Sequence, residues 1–184
     1  GDGVPNIQDN VIFDANSFGA PNEVVTISGP VFCNSMDWTG VTNNPWLDGD
    51  VSSSINVHGS LTFVPGMLHI FEGNYEFGNT GATNIISSGG QIFSGDIVFD
   101  GQGEWIFADA LNVIRTIEFR QGVFRTGGNT INAFAIYSDF ESLRLFDFGT
   151  STIQLMQRSP GNPSSAIFGG SNLIWQNSQP SFIF

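Results

Sequence analysis

The sequence contains no lysine, and its five arginines stand against 17 carboxylates, which gives a formal net charge of −12. Nucleic-acid binding requires a cationic footprint that displaces the counterions of the phosphates, and anionic membrane surfaces require the same. The charge therefore argues against both partners, and we expect no contact with nucleic acid. Cations, calcium among them, are compatible with so acidic a chain.

Long apolar runs and paired cysteines are also missing. No run is long enough to cross a bilayer, so we expect no direct membrane insertion. The opening residues, GDGVPN, lack the basic and hydrophobic segments of an export signal, and we expect any such signal to have been removed or to lie outside this sequence. Cys33 has no partner within the chain, which excludes an intrachain disulfide and leaves the redox compartment open.

Charged residues are scarce at 12%, whereas hydrophobic residues reach 40% and include 18 phenylalanines. Disordered chains combine low hydrophobicity with high charge density, so this composition predicts one folded domain with a sizeable core. Apolar residues at helical spacing are lacking, and residues 109–116, DALNVIRT, come closest to that pattern. Short alternating runs that end at Gly or Asn, such as SINVHGSLTF, predict an all-β protein.

Two all-β architectures fit these runs, an antiparallel sandwich and a parallel β-helix. Hydrophobic residues recur every 20 positions, at Val57, Phe77, Ile97, Ile117 and Tyr137. Glycines recur every 21 positions, at Gly128, Gly149 and Gly170. Such spacing favours stacked turns, and the short Gly- and Asn-rich connections leave no room for the long crossings of a sandwich. We predict a right-handed parallel β-helix (a solenoid) with rungs of about 20–22 residues, the handedness following from the chirality of parallel crossovers.

Two segments align as neighbouring rungs, IVFDGQG from residue 97 and IEFRQGV from residue 117. Equivalent positions of a parallel ladder lie about 4.8 Å apart, so we expect Arg120 over Asp100. Residues 1–184 are expected to form a single β-helix domain, with entry strands over about 1–50 and regular rungs over about 51–184. The final PSFIF is a strand without a cap, so we expect a fragment of a longer polypeptide.

The segment PVFCNSMDW, from residue 30, raises the question of a thiol nucleophile. Period-two alternation divides its side chains between two faces, with Phe32, Asn34, Met36 and Trp38 on one and Cys33, Ser35 and Asp37 on the other. A nucleophilic thiol needs a neighbouring base held by a third group, and neither His58 nor His69 stands in such a motif. We interpret Cys33 as a packing residue, Trp38 as the end of a strand, and the following TGVTNNP as a corner.

Glycan cleavage is the sharpest enzymatic alternative, because a groove along a β-helix suits a polymer. Acid–base hydrolysis needs two carboxylates roughly 5 to 9 Å apart in one cleft. The pairs that fit this range are Asp96 with Asp100, and Asp100 with Glu118 on the next rung. A lyase would add a calcium cluster and a basic proton acceptor, and Arg120 is the one basic residue nearby. We prefer to interpret these carboxylates as a solvated acidic face, and we assign no catalytic or cofactor-binding residue.

Metal sites are weakly indicated. His58 and His69 are eleven residues apart without a Cys or Asp pair to complete a tetrahedral set, so we interpret both as surface histidines. The acidic turn WLDGD, residues 46–50, is the one place where calcium is considered, although it lacks the alternating oxygen ligands and terminal Glu of a defined loop. We therefore assign no metal ligand.

Tryptophans that point outward would offer platforms for sugars, and inward ones would fill the core. Trp46, Trp105 and Trp175 are the candidates, and Trp105 is predicted inward because it alternates with Phe107. Ice binding would need a ladder of threonines at rung spacing. The single cluster, TST at 150–152, is not repeated on neighbouring rungs.

A family resemblance runs along most of the chain. The ordered segments VIFDANSF (11–18), NEVVTISG (22–29) and CNSMDWTGV (33–41), followed by GSLTF, GNYEFGNT, IVFDGQGEWIFADAL and GGNTINA, resemble the β-helix modules of very large surface proteins of Bacteroidetes. Those proteins are type IX secretion cargo associated with gliding motility and adhesion. The resemblance implies an extracellular segment at the outer cell surface, with no catalytic residues to carry over. The repeats and sorting region that such proteins usually bear are not in this sequence, which leaves the mode of attachment open.

Together these observations favour a noncatalytic β-helix module of a larger secreted or cell-surface protein, acting as a stalk or a surface-binding segment. Its expected partners are the rest of that polypeptide and a surface glycan or the secretion and motility machinery. The alternatives are a carbohydrate-active β-helix enzyme, either polysaccharide lyase or glycosidase, and a carbohydrate-binding module. Convergent carboxylates with arginine in one groove would favour the enzyme, and carboxylates scattered over all faces would favour the stalk.

Overall fold

A computed structural model describes residues 3–79, 81–156, 164–177 and 179–184. The described residues form strands and no helix, and every strand pairing is parallel. Accordingly, no helix in this part of the chain is long and apolar enough to span a membrane. The prediction of an all-β, parallel, stacked fold is confirmed, and the sandwich is excluded.

The strands are short and follow one another closely. In chain order they are β1 (Val11–Ile12), β2 (Val24–Ile27), β3 (Pro30–Cys33), β4 (Met36–Asp37), β5 (Trp46–Gly49), β6 (Ser54–Val57), β7 (Leu61–Thr62), β8 (Leu68–His69), β9 (Asn74–Phe77), β10 (Thr83–Ser87), β11 (Ile92–Phe93), β12 (Ile97–Phe107), β13 (Leu111–Val113), β14 (Thr116–Arg125), β15 (Ile131–Ala133), β16 (Ala135–Asp139), β17 (Arg144–Asp147), β18 (Thr152–Leu155), β19 (Ser165–Gly169), β20 (Leu173–Trp175) and β21 (Ser181–Ile183).

These strands wind into a β-solenoid of about 7 turns with three faces. Face 1 consists of β3, β6, β9, the first halves of β12 and β14, β16 and β19. Face 2 consists of β1, β4, β7, β10, the second halves of β12 and β14, β17 and β20. Face 3 consists of β2, β5 and β8 in one ladder and of β11, β13, β15, β18 and β21 in another. Faces 1 and 2 are therefore joined through two long strands, whereas face 3 is divided.

In all but the last described turn, side chains at alternate strand positions point into a shared, mainly apolar interior. Phenylalanines stack there from turn to turn: the ring centroids of Phe77 and Phe99 are 4.9 Å apart, and those of Phe99 and Phe119 are 5.3 Å apart. Each of these rings is at most 1% exposed. Because full burial of a phenylalanine contributes roughly 1.5–3 kcal/mol, this column is a main source of cohesion between turns.

The long strands bend at an irregularity between faces 1 and 2. The register of β12 and β14 shifts on both sides of Asp100, and Gly122 lies in the bend with a φ of 106°. A Cβ at Gly122 would lie 2.5 Å from the carbonyl oxygen of Gly101 and 2.5 Å from the Trp105 ring. Glycine is therefore required at this corner, both by the backbone conformation and by the lack of space.

The predicted 20-residue register is right at two steps and wrong at two. Val57 pairs with Phe77, and Ile97 pairs with Ile117. In contrast, Phe77 pairs with Phe99, and Tyr137 pairs with Glu118. The connections differ in length from turn to turn, because corners absorb or release residues while the strands keep their inward positions.

The rung length of 20–22 residues holds only for the central turns. Val31 pairs with Ile55, 24 residues later, and Ile136 pairs with Ala166, 30 residues later. The three glycines predicted at equivalent corners, Gly128, Gly149 and Gly170, all have positive φ values in turns. The glycines do not occupy equivalent positions of the stack. Because Arg125 pairs with Asp147, Gly149 lies beside Gly127 and not beside Gly128.

Candidate functional site

Cys33 lies at the end of β3 with its side chain in the core, 2% exposed. Burial raises the pKa of its thiol to about 11. The thiolate that a nucleophile requires is thus disfavoured at neutral pH, and no hydrogen bond of the described residues links the thiol to a base. The position supports packing as the role of Cys33.

The predicted division of this segment between two faces is wrong. Cys33, Met36 and Trp38 all point inward, whereas Phe32 is 42% exposed. β3 ends at Cys33 and β4 begins at Met36, so the two residues between them form a corner that shifts the alternation by one position. The corner predicted after Trp38 is present, with positive φ values at the two asparagines 43 and 44.

His69 is buried in the core, which corrects its prediction as a surface residue, whereas His58 is half-buried. The Nδ1 atom of His69 lies 2.8 Å from the carbonyl oxygen of Ile92, and Nε2 lies 2.8 Å from the hydroxyl oxygen of Tyr75. Burial lowers the pKa of His69 to about 4. The two histidines do not meet, and the described residues contain no group of three His, Cys, Asp or Glu side chains that could hold a metal ion.

The carboxylates proposed for acid–base chemistry are engaged in polar contacts within and between turns. The predicted ion pair of Arg120 with Asp100 is present at 3.4 Å, although Arg120 does not lie directly over Asp100 in the ladder, and Arg120 also bonds Glu118 at 2.8 Å. The register shift places Gln121 opposite Asp100, and the Gln121 side chain donates to it at 2.9 Å. Asp96 accepts the backbone N–H of Thr116 on the next turn at 2.9 Å. Three of these contacts connect neighbouring turns, whereas the contact of Arg120 with Glu118 lies within β14, and each candidate carboxylate thus has a polar partner.

A second polar ladder follows face 2 over four turns. The hydroxyl of Thr83 donates to Glu104 at 2.7 Å, Glu104 bonds Arg125, and Arg125 donates to Asp147 at 2.6 Å. The hydrogen bond from Thr83 and the contact with Arg125 lower the pKa of Glu104. The ladder therefore favours the ionised form of Glu104 and joins successive turns from outside.

A groove of about 530 Å³ lies at the bend between faces 1 and 2. Amide, hydroxyl and apolar side chains line it together with Gly122: Gln102, Gln121, Val123, Ser142 and Leu143. Asp100 adjoins the groove through its bond with Gln121 but is not part of its lining. The groove is suited to a polar polymer, and its lining lacks the convergent carboxylates that hydrolysis requires.

The segment WLDGD, predicted as an acidic turn, is instead strand β5 (Trp46–Gly49) followed by Asp50, and it borders a groove of about 520 Å³ whose lining includes Asp48, Asp50 and Glu72. The oxygens of Asp50 accept from the backbone N–H of Ser52 at 2.9 Å and from its hydroxyl at 2.6 Å. Those hydrogen bonds lower the pKa of Asp50. Asp48 accepts the backbone N–H of Gly49 at 2.7 Å. The carboxylate of Asp50 thus stabilises the turn that follows β5 at residues 51 and 52.

The tryptophans divide between the core and the surface. Trp105 is fully buried, as predicted, and so is Trp38. Trp175 is in register with the buried Phe146 but is 44% exposed, because it belongs to the last described turn. Trp46 points outward from β5, since its neighbour Leu47 is fully buried, and it is half-buried among flanking side chains.

Outward positions on face 3 carry large apolar residues on five successive turns. Trp46 pairs with Val24 on one side and with Leu68 on the other, which places the three in one column. Val24 is 48% exposed and Ile92 is 53% exposed. We call this set the apolar stripe; it consists of the column Val24, Trp46 and Leu68, of Ile92 in β11, and of Ile70 and Ile114, which directly follow β8 and β13.

Charge is distributed unevenly over the three faces. Among the described strands of face 3, Asp48 is the only acidic or basic residue apart from the buried His69. The ion pairs and most strand carboxylates lie on faces 1 and 2. Sequence analysis missed the stripe, although the runs VV (24–25) and MLHIF (67–71) break the expected alternation and were a usable signal.

Comparison with protein-family models, with curated proteins and with solved structures found no match to this chain. The geometry described above is therefore the basis for any functional assignment.

Proposed function

We propose that this chain is a noncatalytic structural and adhesive β-solenoid module of a larger secreted or cell-surface bacterial protein, acting as a stalk or a surface-binding segment. The proposal rests on one contrast: the candidate catalytic carboxylates already have polar partners within or between turns, while face 3 presents an apolar stripe with few charges. Large exposed apolar patches on soluble proteins mark contact surfaces. The resemblance of the ordered strand segments to surface modules of Bacteroidetes supports the same function and an extracellular location.

The stacked turns of the rod support a role as a spacer. Neighbouring turns are joined by parallel backbone ladders, by the phenylalanine column and by ion pairs such as Arg125 with Asp147. Each turn buries its apolar side chains only against its neighbours, so the stack extends without needing any other support. A partner of low charge is expected on the apolar stripe, because a chain of net charge −12 repels acidic polymers.

Adhesion is tested by changing one residue of the apolar stripe. Ile92→Asp places a carboxylate in the middle of the stripe, and Ile85→Asp, on face 2 at 48% exposure, is its matched control. Retention of the purified protein is measured on uncharged polysaccharides and on apolar beads. We expect Ile92→Asp to reduce retention at least fivefold and Ile85→Asp to leave it near the wild-type value. Equal loss in both variants, or no retention of the wild type on any surface, would contradict the adhesive function.

The groove at the bend favours a second candidate, a carbohydrate-active enzyme in which Asp100 and Glu118 act beside the groove. Turnover of acidic and neutral polysaccharides by the wild-type chain, abolished by Asp100→Asn, would establish this alternative. Absence of turnover in both proteins is the outcome expected for the noncatalytic module.

A further inference from the structure

Face 3 is interrupted between β8 and β11. The ladder β2-β5-β8 ends there, and the ladder β11-β13-β15-β18-β21 begins on the next turn, without strand pairing between them. Side chains connect the two edges instead. The Gln91 side chain donates to the carbonyl oxygens of Val64 at 2.9 Å and Met67 at 3.1 Å, and His69 bonds the carbonyl oxygen of Ile92 at 2.8 Å. Between the same two turns, backbone pairing is continuous on the other two faces: β9 pairs with β12 on face 1, and β7 pairs with β10 on face 2.

The hydrogen bonds of His69 define its protonation state. The carbonyl oxygen of Ile92 accepts only, so Nδ1 carries the proton and donates to it. Nε2 is therefore the acceptor for the hydroxyl of Tyr75, which is completely buried. A second proton on Nε2 would turn that acceptor into a donor, and the Tyr75 hydroxyl proton would lose its partner. The junction is thus built for the neutral imidazole.

The surroundings of His69 offer no compensation for a positive charge. The rings of Phe63 and Phe93 lie 5.2 and 5.3 Å from the imidazole, and Phe71 and Tyr75 complete the enclosure. Tyr75 is the one titratable group in contact, and burial raises its pKa well above 10. The other titratable group near Tyr75 is Cys33, whose thiol is kept neutral by burial, which raises its pKa to about 11. None of the described residues places a carboxylate against the ring, which agrees with a His69 pKa lowered by burial to about 4.

We propose that the junction of β8 and β11 is an acid-labile joint: uptake of a proton at His69 Nε2 separates the two edges of face 3 while the ladders of faces 1 and 2 persist. The joint divides the rod into an N-terminal and a C-terminal stack of turns. Acidification therefore weakens the module at this one junction.

The direction with pH follows from the two protonation states. With the joint open, His69 is hydrated and titrates near 6.5; with the joint closed, it stays neutral until about pH 4. Opening is therefore independent of His69 above pH 7, becomes easier as the pH falls from 6.5 to 4, and changes no further below that. Between pH 7 and pH 5 the open fraction rises roughly 25-fold.

Hydrogen exchange of the full chain at pH 7 and pH 5, corrected for the intrinsic exchange rates, measures this opening. We expect the roughly 25-fold increase in residues 64–72 and 89–95 and much smaller changes in the strands of faces 1 and 2. His69→Gln offers an amide donor and acceptor that do not titrate, and it should abolish the increase. His58→Gln, which changes the half-buried histidine, should retain it.

An increase in hydrogen exchange at pH 5 that is unchanged in His69→Gln, or that is spread evenly over all three faces, would contradict the proposed joint. If His69→Gln does not fold, NMR titration of the two histidines in the wild-type protein decides the matter instead. A midpoint below 5 for His69 supports the joint, and an ordinary midpoint near 6.5 refutes it.

Discussion

The middle turns and the last described turn of this solenoid use the same kinds of side chain with opposite results. Phe99, in the middle, is enclosed by the rings of Phe77 and Phe119 on the turns beside it and is fully buried. Phe182, on the last turn, pairs in register with the buried Ile153 but is 38% exposed. Burial in this fold is therefore set by the presence of neighbours on both sides more than by the residue type.

The comparison predicts that replacing phenylalanine with alanine lowers the free energy of unfolding much more in a middle turn than in the last described turn. Phe99→Ala removes a ring that contacts both neighbouring turns, and we expect it to lower the free energy of unfolding by about 3–5 kcal/mol. Phe182→Ala should cost about 1 kcal/mol, because much of that ring already faces water. Chemical denaturation of both variants measures the difference. Similar losses in the two variants would show that position in the stack does not control cohesion.

A second substitution tests the bend of the long strands β12 and β14 in the middle turns. Gly122→Ala places a methyl group 2.5 Å from the Gly101 carbonyl oxygen in a left-handed conformation, and we expect a loss of about 2–4 kcal/mol. Gly90→Ala is the matched control, since Gly90 has a φ of 79° and open space around its Cβ position. It should cost about 1 kcal/mol. Thermal unfolding of the two variants separates steric crowding from conformational strain.

The middle turns are also where the sequence was most informative. The alignment of IVFDGQG with IEFRQGV predicted the pairing of Ile97 with Ile117 and the contact of Arg120 with Asp100, because both segments lie within continuous strands. Alternation was equally reliable there and predicted an inward Trp105. Period and alternation hold as long as no corner intervenes.

Corners account for most of what the sequence did not reveal. Two residues between Cys33 and Met36 invert the alternation, and the unequal connections before Phe99 and Tyr137 move the register away from 20. The environment of His69 depends on partners 6 and 23 residues away that meet only through the stacking. Such contacts are set by the length of each turn, which local propensity does not encode.

The smallest expected effect concerns the polar ladder on the outer surface of the middle turns. Arg125 bonds Glu104 on one neighbouring turn and Asp147 on the other, whereas Arg120 bonds one neighbouring turn and its own strand. We expect Arg125→Met to cost about 1 kcal/mol and Arg120→Met about 0.5 kcal/mol or less, since both side chains are partly exposed and exposed ion pairs are weak. Urea unfolding at low salt measures both values. The difference should shrink at 1 M salt, because screening acts on the charges and leaves the packing of the methylene groups intact. A salt-independent difference would assign the effect of Arg125 to packing and would remove the ladder from the forces that distinguish the middle of the rod.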